Sequence, residues 1–267
     1  MIGVFDSGFG GLHVLKSVTT RLPQYGYIYL GDSARAPYGP RPPEEVYAFT
    51  KQGVEFLFSR GARLVVLACN TASSEALRKI QMEYVASGAD KKVLGVLIPF
   101  AEAAVASTHN KCVGVMATEG TVRSGAFVRE ITKLGAIQVF QQACPALVPL
   151  IEAGQQDSPE MSGLIASYLE PLLAHKIDTL VLGCTHYGIV RERIQTAAGN
   201  SVHVVTERDV MPNAIFDYLE RHPEIERNIS RSTQSEFFTT GDVAHFEKFG
   251  SIFFGAPIRA LKAAPAL

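Results

Sequence analysis

The sequence has no run of basic residues, no acidic tail and no low-complexity stretch. Its 25 Lys and Arg nearly balance its 26 Asp and Glu, for a formal net charge of −1. A general electrostatic attraction to nucleic acid or to an anionic membrane is therefore not expected. No window approaches the roughly 18 uninterrupted apolar residues of a membrane-spanning helix. Met1 leads straight into Ile-Gly-Val-Phe and Asp6, without the basic start and long apolar segment of a secretory signal. Cysteine is scarce, with four in 267 residues and none in a C-x-x-C pair. Neither zinc-knuckle spacing nor a disulfide framework is expected from that pattern. What remains is an ordinary globular composition, 47% hydrophobic and 19% charged, which points to a cytoplasmic enzyme or binding protein.

Short apolar, β-branched runs alternate with longer stretches of helical spacing. The runs cover residues 1–5, 26–30, 64–68, 93–97, 112–116, 137–140, 179–183 and 201–205, and helix-like stretches include 43–60, 73–87 and 162–175. Most runs are continuously apolar rather than alternating, as parallel strands covered on both faces are. Strand followed by helix, repeated, predicts an α/β architecture. The order also recurs within the chain. Gly3-Val4 aligns with Gly114-Val115, the run ending at Leu30 with that ending at Phe140, Leu64–Cys69 with Thr179–Cys184, and Val93–Val96 with Val202–Val205. These offsets predict two related α/β halves of about 110 residues, each a mainly parallel sheet flanked by helices. The expected division is 1–94 plus 207–267 for the first half and 95–206 for the second.

Ligands of parallel α/β sheets bind beyond the C-terminal ends of the strands. Asp6-Ser7-Gly8, Cys69-Asn70-Thr71, Thr118–Thr121 and Cys184-Thr185-His186 all stand at such ends. If the halves face each other about a pseudo-two-fold axis, one cleft receives all four. Two thiols reaching one carbon from opposite sides suit stereochemical inversion, one removing a proton as thiolate and the other delivering a proton as thiol. A helix start after each thiol is expected to lower its pKa. Asp6 is either a helix N-cap or a carboxylate that tunes a thiol or holds a substrate ammonium. His186, two residues beyond Cys184, can form a thiol–imidazole pair. The loop Arg35–Gly39 is a turn by composition. Cys112 and Cys144 have no comparable setting and are expected to be structural.

The segments Asp6-Ser-Gly-Phe-Gly-Gly11, Gly31-Asp-Ser-Ala-Arg-Ala-Pro-Tyr-Gly39, Ala68-Cys-Asn-Thr-Ala-Ser73 and Leu182-Gly-Cys-Thr-His-Tyr187 closely resemble glutamate racemases of the aspartate/glutamate racemase superfamily. The match runs in order over most of the chain, including Pro145–Glu152 and Phe237–Asp242. The resemblance implies interconversion of L- and D-glutamate without pyridoxal phosphate or metal, supplying D-glutamate for peptidoglycan, in a protein that is homodimeric in the family. It implies Cys69 and Cys184 as the two acid/bases, Asp6 assisting Cys69, and His186 and Glu152 assisting Cys184. Ser7, Asn70, Thr71 and Thr185 would hold the substrate's α-amino and α-carboxylate groups. Pro37, Tyr38, Gly39, Thr118 and Thr121 would surround its side-chain carboxylate.

Four places depart from the family pattern. Ile98-Pro99-Phe100 stands where an acidic residue often precedes proline. Ala117 replaces a common glycine, Gly188 a common proline, and Thr206-Glu207-Arg208-Asp209 an Asp-Ser-containing stretch. Three rivals remain: a racemase for aspartate or another amino acid, a cysteine hydrolase or lyase using Cys184 with His186, and a non-catalytic amino-acid-binding protein.

Overall fold

A computed structural model describes residues 1–88 and 91–264. Strands form where the apolar runs predict them. They are β1 (Ile2–Asp6), β2 (Tyr27–Gly31), β3 (Leu64–Leu67), β4 (Lys92–Gly95), β5 (Cys112–Ala117), β6 (Gln138–Ala143), β7 (Thr179–Gly183) and β8 (His203–Val205), followed by β9 (Ser235–Thr239) and β10 (Ala260–Lys262). Every residue of β1, β2, β3 and β7 is buried, which explains why those runs are apolar without alternation.

Two sheets result, both parallel throughout: β10-β9-β2-β1-β3-β4 and β6-β5-β7-β8. The strand order β2-β1-β3-β4 in the first is the order β6-β5-β7-β8 in the second. The internal repeat in the sequence is thus a repeat of topology. The first sheet alone is extended, by β9 and β10 beyond β2. One apolar core runs through both, taking Ile2 and Val4 from β1 together with Val113 from β5 and Leu182 from β7. Helix Gly11–Arg21 packs on helix Glu207–Arg221, and helix Asn70–Glu75 meets helix Glu119–Ser124 across the two sheets.

Several boundaries differ from those expected. The stretch 73–87 is two helices, Asn70–Glu75 and Leu77–Ala86, broken where Ala76 leaves helical φ at −117°. The run 93–97 stops as a strand at Gly95, and Leu97 already begins helix Leu97–Ser107. Pro99 fits there because first-turn N–H groups have no partner within a helix. Strand β6 continues past Phe140 to Ala143 through Gln141 and Gln142, which are only half-buried because β6 lies at a sheet edge. Among the described residues no helix is long and apolar enough to cross a membrane.

Candidate active site

Four strand ends converge. Asp6 closes β1, Cys69 follows β3, Thr118 follows β5 and Cys184 follows β7. The loops they start enclose a cavity of about 30 Å³ lined by Ser7, Gly8, Ala36, Pro37, Tyr38, Gly39, Cys69, Asn70, Thr71, Thr118, Val148, Glu152, Cys184, Thr185 and His186. That is room for only a water or two. Of the residues singled out in the sequence, Asp6 and Thr121 alone do not line the cavity; both are fully buried. Ala36 and Val148 line it without having been anticipated. Small or apolar residues carry no chemical signature, and each is legible only as a neighbour of one that does.

The two thiols are nearly buried, Cys69 5% and Cys184 7% exposed. Cys69 is the N-cap of helix Asn70–Glu75, where its sulfur accepts the Ala72 N–H at 3.4 Å and lies 3.5 Å from the Ser7 hydroxyl. Cys184 precedes a 3₁₀ turn, Thr185–Val190, and makes no such side-chain cap. Its neighbour is His186, whose Nδ1 is 4.0 Å from the sulfur and whose Nε2 is 3.0 Å from Glu152 Oε1. A chain Cys184–His186–Glu152 therefore crosses the cleft wall.

The thiol pKa values run opposite to the expectation from helix starts alone. Burial pushes Cys69 up to about 11, with the Asp6 charge acting in the same sense and the Ser7 and Ala72 hydrogen bonds opposing. Burial also pushes Cys184 well above its ordinary value, opposed by the His186 backbone N–H and reinforced by Glu207, Cys69 and Asp6. Desolvation of a buried thiolate outweighs the few N–H dipoles that favour it.

Asp6 is itself raised by burial, while His186 and hydrogen bonds from Gly8, Gly11 and Thr185 act against that rise. Its carboxylate accepts the Gly8 N–H at 2.8 Å and the Thr185 hydroxyl at 3.2 Å. Among the described residues no hydrogen bond joins it to the Cys69 thiol; its link is to the Cys184 loop. That link depends on Gly10, where an added Cβ would fall 2.7 Å from Thr185 Cβ and 2.9 Å from His186 Nδ1.

Around the rest of the cavity, the Thr71 and Thr118 hydroxyls meet at 2.9 Å and the Thr118 and Thr121 hydroxyls at 3.0 Å. This hydroxyl cluster joins the two sheets' loops. Tyr38 donates its hydroxyl to buried Asp32, which also accepts Arg35 Nε at 2.7 Å and the Thr240 hydroxyl at 2.6 Å. The tyrosine thus offers the cavity its ring, while its hydroxyl pins the 35–39 loop. Cys144 is buried and Cys112 lies at the start of β5, both away from the cavity. Among the described residues, no group of three or more His, Cys, Asp or Glu side chains could hold a metal ion. One site component went unanticipated as such: Glu207, buried, receives the Asn70 amide N–H at 2.5 Å.

Residues 2–208 match the Asp/Glu/hydantoin racemase family. A glutamate racemase of Oceanobacillus iheyensis is 39% identical over 95% of this chain and 91% of its own length. The crystal structure of a glutamate racemase isoform from Bacillus anthracis superposes with a TM-score of 0.90 at 32% identity, covering 99% of this chain and 97% of that one. That of the Francisella tularensis glutamate racemase, in complex with D-glutamate, does so with a TM-score of 0.88 at 28% identity, covering 98% and 96%. With the same sheets, over the same length, around a cleft that receives a thiol from each half, this chain belongs to the Asp/Glu/hydantoin racemase family, among its glutamate racemases.

Proposed function

We propose that the protein interconverts L- and D-glutamate by a two-base reaction between Cys69 and Cys184. One observation carries this reading: two thiols at equivalent strand ends of two repeated sheets line one cavity. In each direction one cysteine, as thiolate, takes the α-proton, leaving the electron pair on the α-carbon and carboxylate. The other, as thiol, gives its proton to the opposite face. The pair ends with the thiolate on the second sulfur, ready for the reverse passage. The charge of an ionised Cys69 raises the pKa of Cys184, so ionising Cys69 favours a protonated Cys184, the state the reaction needs. The α-proton is very weakly acidic, so positioning and preorganised dipoles in a closed cleft must supply most of the help. A substrate the size of glutamate does not fit in about 30 Å³, so the cleft opens to admit it and closes on it.

Ser7, Asn70, Thr71 and Thr185 hold the α-amino and α-carboxylate groups, and Pro37, Tyr38, Gly39 and Thr118 surround the side-chain carboxylate, with Thr121 behind Thr118. His186, oriented by Glu152, shuttles protons to and from Cys184. Asp6 acts through its charge on Cys69 and through Thr185. The membership of the two sheets supports a division into units of 1–94 plus 207–267 and 95–206, with β4 of the first sheet ending at Gly95. In the cell the reaction supplies D-glutamate for peptidoglycan, in the cytoplasm, from a homodimer.

The test is α-proton exchange followed by NMR in deuterated water, starting from each enantiomer, with wild type, Cys69→Ser and Cys184→Ser. Wild type should invert and exchange both enantiomers, and each variant should lose inversion. Full activity in Cys69→Ser would sink the two-base reaction. Exchange with aspartate in place of glutamate would keep the mechanism and overturn the substrate.

A further inference from the structure

Glu207 is a buried carboxylate to which the reaction above gives no task. It is the first residue of helix Glu207–Arg221, 2% exposed, behind a capping box made by Thr206 and Asp209. It lies in the segment that departs from the family pattern. Its Oε1 accepts Asn70 Nδ2 at 2.5 Å, from a residue 137 positions away. Asn70 is the neighbour of Cys69, 2% exposed, and lines the cavity. A carboxamide has one donor end and one acceptor end. With the donor end on Glu207, the acceptor Oδ1 remains, and it is buried without a hydrogen-bond partner.

We propose that Glu207 is a positioning residue for substrate binding, holding the Asn70 amide so that its Oδ1 accepts a hydrogen bond from the substrate's α-ammonium. The inference rests on the reading that Asn70 holds the α-amino group. An ionised carboxylate only accepts, so it forces the NH₂ end of Asn70 toward itself. The flipped amide would turn a donor toward an ammonium that also only donates. The carboxylate adds a buried negative charge one side chain removed from that ammonium. Burial pushes Glu207 up to about 8, opposed by its own backbone N–H and by the Asn70 hydrogen bond and reinforced by Asp6 and Asp209. The same charge acts on Cys184. A bound ammonium brings the opposite charge to this acidic group and favours the ionised, orienting form.

The experiment compares KM and kcat for L- and D-glutamate, with thermal melting, in wild type, Glu207→Gln, Asn70→Ala and the double variant. Glutamine keeps the volume but can present either end to Asn70, so the amide orientation is no longer dictated. Glu207→Gln should raise KM for both enantiomers about fivefold or more, with kcat within about threefold of wild type. Asn70→Ala should raise KM at least as much, and the double variant no further, because Glu207 acts through Asn70. A Glu207→Gln enzyme that melts lower with KM unchanged has lost only a structural tie, and the proposal is then wrong. Additive losses in the double variant overturn it too. If Asn70→Ala raises KM and Glu207→Gln does not, the role of Glu207 alone fails. If Asn70→Ala leaves KM unchanged, the assignment of Asn70 to the ammonium fails with it.

Discussion

Cys69 leaves β3 into an α-helix whose Ala72 N–H reaches back to its sulfur, with the Ser7 hydroxyl beside it. Cys184 leaves β7 into a 3₁₀ turn with no such cap and has an imidazole backed by a carboxylate instead. The backbones of the two halves repeat; the polar side chains around the sulfurs do not. The proposed two-base reaction on equal enantiomers would require each sulfur to serve as both base and acid, and that symmetry concerns position. Both sulfurs have a backbone N–H that favours the thiolate, from Ala72 at Cys69 and from His186 at Cys184, and the sides differ in the side chain beside it, a hydroxyl on one and an imidazole on the other. In both, burial outweighs the local stabilisation and holds the thiol above its ordinary range.

The most severe way to probe the comparison is to change each sulfur to oxygen. Cys69→Ser and Cys184→Ser should each lower inversion about 10²–10⁴-fold, the usual reach of a positioned proton-transfer group. Losses differing by more than about tenfold under the same assay would mark the two sites as unequal partners.

Next in size is the contact that sets one half against the other. Gly10→Ala would drive a methyl into Thr185 and His186, displacing the Cys184 loop without touching Cys69. A displacement of this kind is expected to lower kcat/KM about 10²-fold. An alanine enzyme with wild-type kinetics would show that the loops adjust freely.

A pH profile tests the balance of burial against dipoles. A thiol raised above its ordinary pKa is mostly protonated near neutrality, and its thiolate is lost further as pH falls. The ratio kcat/KM should therefore climb between pH 6 and 9, by up to about tenfold per unit. A flat profile over that range would mean a preformed thiolate and would reverse the ranking of the two effects.

The smallest and most discriminating change is Glu152→Gln, which disturbs only the Cys184 side. It should lower kcat about tenfold. Because the enantiomers have equal free energy, kcat/KM must stay equal in the two directions. The asymmetry should appear instead as unequal primary isotope effects with α-deuterated L- and D-glutamate. Equal isotope effects in the variant would remove the relay from the mechanism.

The strand–turn–helix grammar was readable because it is local. An apolar run, then Cys-Asn-Thr or Cys-Thr-His, places a polar cluster at a strand end wherever it occurs, and repeating it at constant offset implies two equivalent sheets. The break at Ala76 and the early helix start at Leu97 were not readable, since both depend on how a helix docks rather than on its periodicity. Among site residues, the His186–Glu152 contact was implied only by resemblance, its partners being 34 positions apart. Tyr38 lines the cavity, but its bond to Asp32 assigns the hydroxyl to the scaffold.

By itself the sequence determined the order of elements, the duplication and the identity of the two thiols, because each follows from neighbours along the chain. Tertiary structure decided how buried those thiols are, which loop Asp6 contacts, and that Glu207 lies behind Asn70. The reason is physical: desolvation and hydrogen bonding across more than a hundred residues exist only once two sheets have closed on one another, and those terms set the charge states on which the chemistry depends.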